Sequence, residues 1–344
     1  MVLLSVAFTK ENLRSIYSRP SSQWPKAFID EGVAFTELGL LPASPIVSQQ
    51  DSLQEVIALG KALFFDTRLS SSGKISCATC HQPTLNWTDG KPKSIGHEGA
   101  VNKRNSPTIQ NSWFYKKLFW DGRARDLQDQ AFAPIHSESE MNSDMPELLR
   151  KLRTIKGYRL LFTRAFGSEE INPDRMTEAI AVFEKTISSG KSRFDAFLEG
   201  DKRALTNGEL RGLHLFRTKA RCMNCHNGPL FSDNQFHNNG FHLNGDPATD
   251  KGFYTVTHND SDIGKFKTPS LRDVLKTGPW MHNGMMTSME DVLAHYIKGA
   301  SANPGTDPLV KMLYLTPRET ADLLAFLGAI SAPPLPFVMP VLPE

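Results

Sequence analysis

Cysteine is scarce in this chain, and what there is sits in two places. Four cysteines in 344 residues, all in two short blocks, leave no material for a disulfide framework. Long hydrophobic runs are missing as well. No apolar stretch approaches the roughly 18 to 20 residues needed to cross a bilayer, so no membrane span is expected. Charge of one sign is also lacking: 39 basic against 37 acidic residues leave +2 with no long like-charged run, which removes the electrostatic footprint of a nucleic-acid binder. No intact export leader is visible. The apolar start Met1 to Phe8 lacks a basic leader and a clear small-residue cleavage site, and reads either as the remnant of a trimmed signal or simply as the start of the chain.

What is present points to helices. No pair of alternating strands carries a tight hairpin signal. Thr206-Asn-Gly-Glu209, Thr287-Ser-Met-Glu290 and Thr316-Pro-Arg-Glu319 each read as a capping box, the last with proline at the first helical position. Asn172-Pro173 starts another helix, whose apolar residues Ala179, Val182, Phe183 and Ile187 recur at three- and four-residue spacing. Between the helices lie polar stretches, 82–112 and 227–265, that are longer than ordinary connections and would suit loops wrapped around a cofactor. The proline-rich tail from Pro333 to Pro343 cannot be helical and reads as an extended strap. At this length two domains of ordinary size are expected.

The cysteine blocks are Cys77-Ala-Thr-Cys80-His81 and Cys222-Met-Asn-Cys225-His226, 145 residues apart (222 minus 77). A similar phrase precedes each, Gly60-Lys-Ala-Leu63-Phe64 and Gly212-Leu-His-Leu215-Phe216, which hints at a duplicated unit. Cys-x-x-Cys-His is the attachment motif of a c-type haem: two thiols add to the vinyl groups and the histidine sits beneath the iron. A redox dithiol or half a zinc site would explain one block, but two complete blocks that use every cysteine favour two covalent haems, with His81 and His226 as proximal ligands. Such haems are attached outside the cytoplasm, so the periplasm is the expected address. Eight further histidines, eleven methionines and several tyrosines could supply sixth ligands, and spacing alone does not choose among them.

Residues 59 to 330 resemble the bacterial di-haem cytochrome c peroxidase and MauG superfamily. The likeness runs through ordered phrases: Gly60-Lys-Ala-Leu-Phe-Phe-Asp-Thr-Arg-Leu69, Ser94-Ile-Gly-His97, Asn105-Ser-Pro-Thr108, Phe119-Trp-Asp-Gly-Arg-Ala124, Thr268-Pro-Ser-Leu-Arg272 and Gly278-Pro-Trp-Met-His-Asn-Gly284. It implies a mainly α fold of two cytochrome c-like haem domains with long loops. In that frame residues 1–50 are an N-terminal extension packing across the domains, 51–200 the first, peroxidatic haem domain, 201–332 the second, and 333–344 the strap.

The resemblance also implies roles. The first haem, on Cys77, Cys80 and His81, would be the peroxidatic one, with Gln130, Pro134 and Glu140 in its distal pocket and Glu140 as the acid/base group. By residue type alone Glu140 is one more acid in the polar run His136 to Asp144. Trp120 matches a tryptophan between the haems, though a Trp in such a phrase is otherwise a core aromatic. Asn105, with the carbonyls of Thr277 and Pro279, matches an inter-haem calcium site, and oxygen ligands suit that cation. His97, sixteen residues after His81, matches the histidine that caps the first iron in gated peroxidases of the family.

At the second haem the matching distal position is Tyr296, as in MauG and its MbnH-type relatives, where classical members have methionine. The alternative is a core tyrosine, with Met285, Met286 or Met289 on the iron. A phenolate favours ferric and ferryl iron, a thioether ferrous iron. The expected function is therefore a periplasmic enzyme that uses hydrogen peroxide to form high-valent haem and oxidises a Trp or Tyr side chain of a partner protein. The alternatives are a classical peroxidase fed by a small cytochrome or copper protein, and a non-enzymatic di-haem electron carrier.

Overall fold

The computed structural model of the protein describes residues 12–241, 249–299 and 305–344; the apolar start Met1 to Phe8 lies outside them. The chain is mainly helical, as expected. Helix α1 (Leu13–Tyr17) is a short turn, followed by α2 (Gln54–Phe65), α3 (Cys77–Cys80), α4 (Leu127–His136), α5 (Met145–Thr154), α6 (Lys156–Phe166), α7 (Pro173–Glu184) and α8 (Arg193–Leu198). Then come α9 (Asn207–Arg217), α10 (Tyr254–Thr257), α11 (Met289–Ile297) and α12 (Pro317–Ala329). Among the described residues the sheet is a single antiparallel pair, β1 (Phe236–His237) with β2 (Phe266–Lys267).

Two apolar cores divide the helices. One gathers α2 and α4 to α7, the other α8, α9 and α12 with part of α11. The repeated glycine phrase has a physical reason in both. A Cβ at Gly60 would lie 1.8 Å from the Ala179 carbonyl oxygen, and one at Gly212 would lie 2.0 Å from that of Asp322. So α2 crosses α7, and α9 crosses α12, at a separation that admits no side chain. Four residues on, one helical turn away, a fully buried phenylalanine meets its counterpart on the facing helix: Phe64 and Phe183 centroids are 5.3 Å apart, Phe216 and Phe326 5.4 Å.

The capping signals settle most helix starts. Thr206 and Glu209 cap α9 reciprocally, as do Thr316 and Glu319 for α12, with Pro317 in the first turn. Asn172 caps α7. For α11 the cap is one residue later than the sequence suggested: Ser288, not Thr287, is the extended residue, and its hydroxyl accepts from the Asp291 amide at 3.1 Å. Both Thr287 and Ser288 are competent caps, so local chemistry could not choose between them.

Both terminal segments of the described residues pack on the cores. Trp24 and Tyr17 enter the second core, beside the fully buried Arg217, which donates to the Pro25 carbonyl and pairs with Glu37. Ser44 then donates to the Lys185 carbonyl at the end of α7, so the arm passes from one core to the other. The strap is ordered on the first core. Phe337 stacks on Phe65 at 5.3 Å, Arg68 donates to the Pro343 carbonyl, and the Gly157 amide donates to the Glu344 carbonyl.

Placing a methyl group at either helix crossing forces backbone apart. Gly212→Ala is expected to cost about 1–3 kcal/mol, read as a lower denaturation midpoint; an unchanged midpoint would show that the crossing has slack.

Candidate active site

Both cysteine blocks fold into the same local device. In the first, Ser76 and Thr79 cap α3 reciprocally, and the chain turns back so that His81 Nδ1 meets the Trp87 carbonyl at 3.1 Å. In the second, His226 Nδ1 meets the Phe231 carbonyl at 2.9 Å. Trp87 and Phe231 both adopt left-handed backbone, with φ of 61° and 56°. A carbonyl can only accept, so Nδ1 carries the proton and Nε2 keeps its lone pair. Burial lowers the pKa of both rings, which favours the neutral imidazole.

Both rings and all four thiols line one continuous cavity of about 1400 Å³ that runs between the two cores. That exceeds the ~300–1,000 Å³ of an ordinary single-ligand pocket. The thiols are free, and burial pushes them up, Cys80 to about 11 and Cys222 to about 12, so they carry their protons. The guanidinium of Arg123 also lies on the wall, which suits a ligand bearing carboxylates, together with Lys267, whose amine burial pushes down to about 7. Two lone-pair imidazoles, paired thiols beside each, and a shared cavity fit two haems.

On the wall of the first half stand Gln130, Pro134 and Glu140. Burial raises the Glu140 pKa and Arg123, facing it, partly offsets the shift. Its backbone is held by a close approach: a Cβ at Gly96 would lie 2.1 Å from the Ser139 carbonyl oxygen, and the His97 amide donates to the Glu140 carbonyl at 2.9 Å. The His97 ring itself turns elsewhere. It bonds Ser71 Oγ through Nδ1 at 3.3 Å, and it is not among the residues that line the cavity.

Trp120 and Asn105 form a junction between the halves. The Trp120 indole donates to the Asn105 carbonyl at 2.9 Å, the Asn105 amide donates to the His282 carbonyl at 2.8 Å, and the Lys267 amide donates to the Trp120 carbonyl at 2.8 Å. Thr277 and Pro279 share the same cavity wall with Asn105.

Tyr296, on α11, faces the second half of the cavity together with Met281, Met285 and Met289. Burial raises its pKa, and Asn239 acts the other way by donating to its hydroxyl oxygen at 3.4 Å. The same amide reaches Met281 Sδ at 3.4 Å. Met286, one of the methionines weighed from sequence, does not line the cavity; its backbone pairs with Trp280 instead. Nearby, His237 sits between Asp233 and Asp307. Burial alone would lower its pKa, but the two carboxylates push it up to about 12. Cys225, Asp233 and His237 are close enough to hold a cation, yet His237 donates from both nitrogens and has no lone pair to offer.

Sequence reasoning missed Arg123, Gly96, Asn239 and Met281. Met281 lies within a quoted phrase but was passed over for methionines nearer α11. Asn239 sits in a long aperiodic loop and had no signal at all.

The sequence model of the family described as di-haem cytochrome c peroxidase matches residues 54–203. Methylamine utilization protein MauG of Methylorubrum extorquens is 41% identical over 290 residues, 84% of this chain and 82% of the relative. Cytochrome-c peroxidase IdrP1 of Denitromonas iodatirespirans is 39% identical, covering 86% and 87%. A crystal structure of a MauG-like protein associated with microbial copper homeostasis superposes with a TM-score of 0.75 at 30% identity, over 89% of this chain and 96% of that one.

Arg123 holds the Glu140 pKa down against burial, so removing it lets the carboxyl keep its proton to higher pH. In Arg123→Met the acid limb of the peroxide reaction is expected to move to higher pH. A limb that stays in place would separate that limb from Glu140.

Proposed function

The chain belongs to the di-haem cytochrome c peroxidase family and is a haem-dependent oxidoreductase acting with hydrogen peroxide; from that premise we propose that it oxidises a tryptophan or tyrosine side chain of a partner protein, in the manner of MauG-type members. The observation that carries this reading is Tyr296 on the cavity wall of the second half, its oxygen already accepting a hydrogen bond from Asn239. An oxygen ligand there would disfavour the ferrous state that a rapid electron-accepting haem needs.

Cys77 and Cys80 would hold one haem through thioethers with His81 as proximal ligand, and Cys222, Cys225 and His226 the other. When bound, the haems supply the iron that reduces peroxide and the capacity to store its oxidising equivalents. The remaining work falls to the chain. Glu140 takes a proton from peroxide at its carboxylate and returns it to the departing oxygen, a role helped by a pKa raised toward neutrality. Gln130 offers a side-chain amide to orient peroxide, and Pro134 keeps that wall apolar. The ring of His97, held against Ser71, leaves the space next to Glu140 accessible. Trp120 spans the junction between the halves, and Asn105 with the Thr277 and Pro279 carbonyls would hold calcium there. Covalent haem attachment, which takes place outside the cytoplasm, supports a periplasmic location.

A second reading, the classical peroxidase that takes electrons from a small redox protein, has one observation in its favour. Met281 stands beside Tyr296, bonded to the same Asn239 amide, and a thioether from it would serve an electron-accepting haem.

Two measurements test the proposal. Glu140→Gln should bind both haems but react with peroxide about 10²- to 10⁴-fold more slowly; a wild-type rate removes Glu140 from the mechanism. The ferric holoprotein should show iron–tyrosinate vibrations in its resonance Raman spectrum, lost in Tyr296→Phe. Methionine ligation at the second haem, with fast turnover on reduced cytochrome c, decides for the classical reading.

A further inference from the structure

The chain contains five tryptophans and six tyrosines. Ten of these eleven oxidisable rings are buried or half-buried. The eleventh, Tyr314, is 80% exposed. Exposure of one aromatic ring is unremarked in most proteins; here its location makes it worth pursuing.

Tyr314 lies on an extended segment that closes the second half of the cavity. Leu309, Val310 and Lys311 line the cavity, and beyond them Leu313 and Leu315 face it while Met312 and Tyr314 face out, so residues 312–315 alternate as an extended chain does. The segment is anchored at several points. Asp307 pairs with His237 and donates its amide to the Asn238 carbonyl, and Lys311 pairs with Asp30. Most important, the Leu313 amide donates to the Ile297 carbonyl at 3.0 Å. Ile297 follows Tyr296 and Leu313 precedes Tyr314, so two peptide links and one hydrogen bond connect the ring facing the second haem site to the ring facing solvent.

We infer that Tyr314 is the surface residue at which oxidising equivalents leave the protein, and so the contact point for the side chain of the partner. The inference rests on the proposed function. A tyrosine that loses an electron must also lose its phenolic proton. Tyr158, whose hydroxyl donates to the Asp66 carboxylate, is enclosed in the first core, and Tyr17 is enclosed beside Arg217; Tyr314 can release its proton to water. With a partner docked, an electron from the partner's aromatic ring and a proton regained from water restore the phenol. Without a partner, two Tyr314 phenoxyl groups on separate molecules couple. One peroxide accepts the two electrons and two protons released by two phenols, giving two waters and one dityrosine.

The test is stoichiometric peroxide added to the holoprotein without a partner, followed by haem absorbance, dityrosine fluorescence and peptide mapping, with a nitroso spin trap in a parallel sample. The wild type should form a 314–314 cross-link and a trap adduct at Tyr314. Tyr314→Phe, which removes only an exposed hydroxyl, should lose both while its haem absorbance responds as in the wild type, and Tyr254→Phe should retain both. A normal haem response with cross-link and adduct both absent from Tyr314 overturns this inference alone. No haem response to peroxide in the wild type overturns the proposed function and this inference with it.

Discussion

Each histidine of the two Cys-x-x-Cys-His blocks is held by a hydrogen bond from Nδ1 to a backbone carbonyl, Trp87 for His81 and Phe231 for His226. That bond fixes the tautomer, aims the Nε2 lone pair at the cavity, and defines which wall is opposite. The carbonyls come from residues in left-handed backbone, a conformation costly for large side chains, and Phe231 is sunk completely in the second core. The helix crossings at Gly60 and Gly212 bring Phe64 and Phe216 into those cores. Core packing thus sets the direction of two imidazole lone pairs.

From this shared device the halves diverge on the opposite walls. The first presents Gln130, Pro134 and Glu140, whose pKa burial raises, a wall suited to moving protons. The second presents Tyr296 and Met281 on either side of the Asn239 amide, a wall suited to ligating. A duplicated unit with unequal walls can separate the place where peroxide reacts from the place where a partner is oxidised. Asn105 joins them, since its backbone and side chain bond Trp120, His282 and Lys91 at once.

Much of this was legible from residue order. The cysteine blocks, the glycine phrases, the caps of α7, α9 and α12 and the non-helical tail are local signals, and local chemistry decides them. The start of α11 was not, because Thr287 and Ser288 are equally able to cap and only the packing of Val292, Leu293 and Tyr296 against the cavity selects one. His97 shows the same limit. Its spacing from His81 is visible in the sequence, but the direction of its ring depends on Ser71 and on the close approach of Gly96 to Ser139.

By itself the sequence determined that this chain carries two Cys-x-x-Cys-His blocks, each preceded by a similar glycine phrase, and is mainly helical, because motifs and periodicities are written in neighbouring residues. Only the tertiary structure decided which groups come together around the cavity: Arg123 on the wall it shares with Glu140, Asn239 with Tyr296 and Met281, and the Ile297 carbonyl with the Leu313 amide. Those pairs are separated by 16 to 57 residues along the chain, and no local preference selects a partner at such range (313 minus 297; 296 minus 239). Their meeting is set by how the two cores close around a common cavity, which is a property of packing and not of spacing.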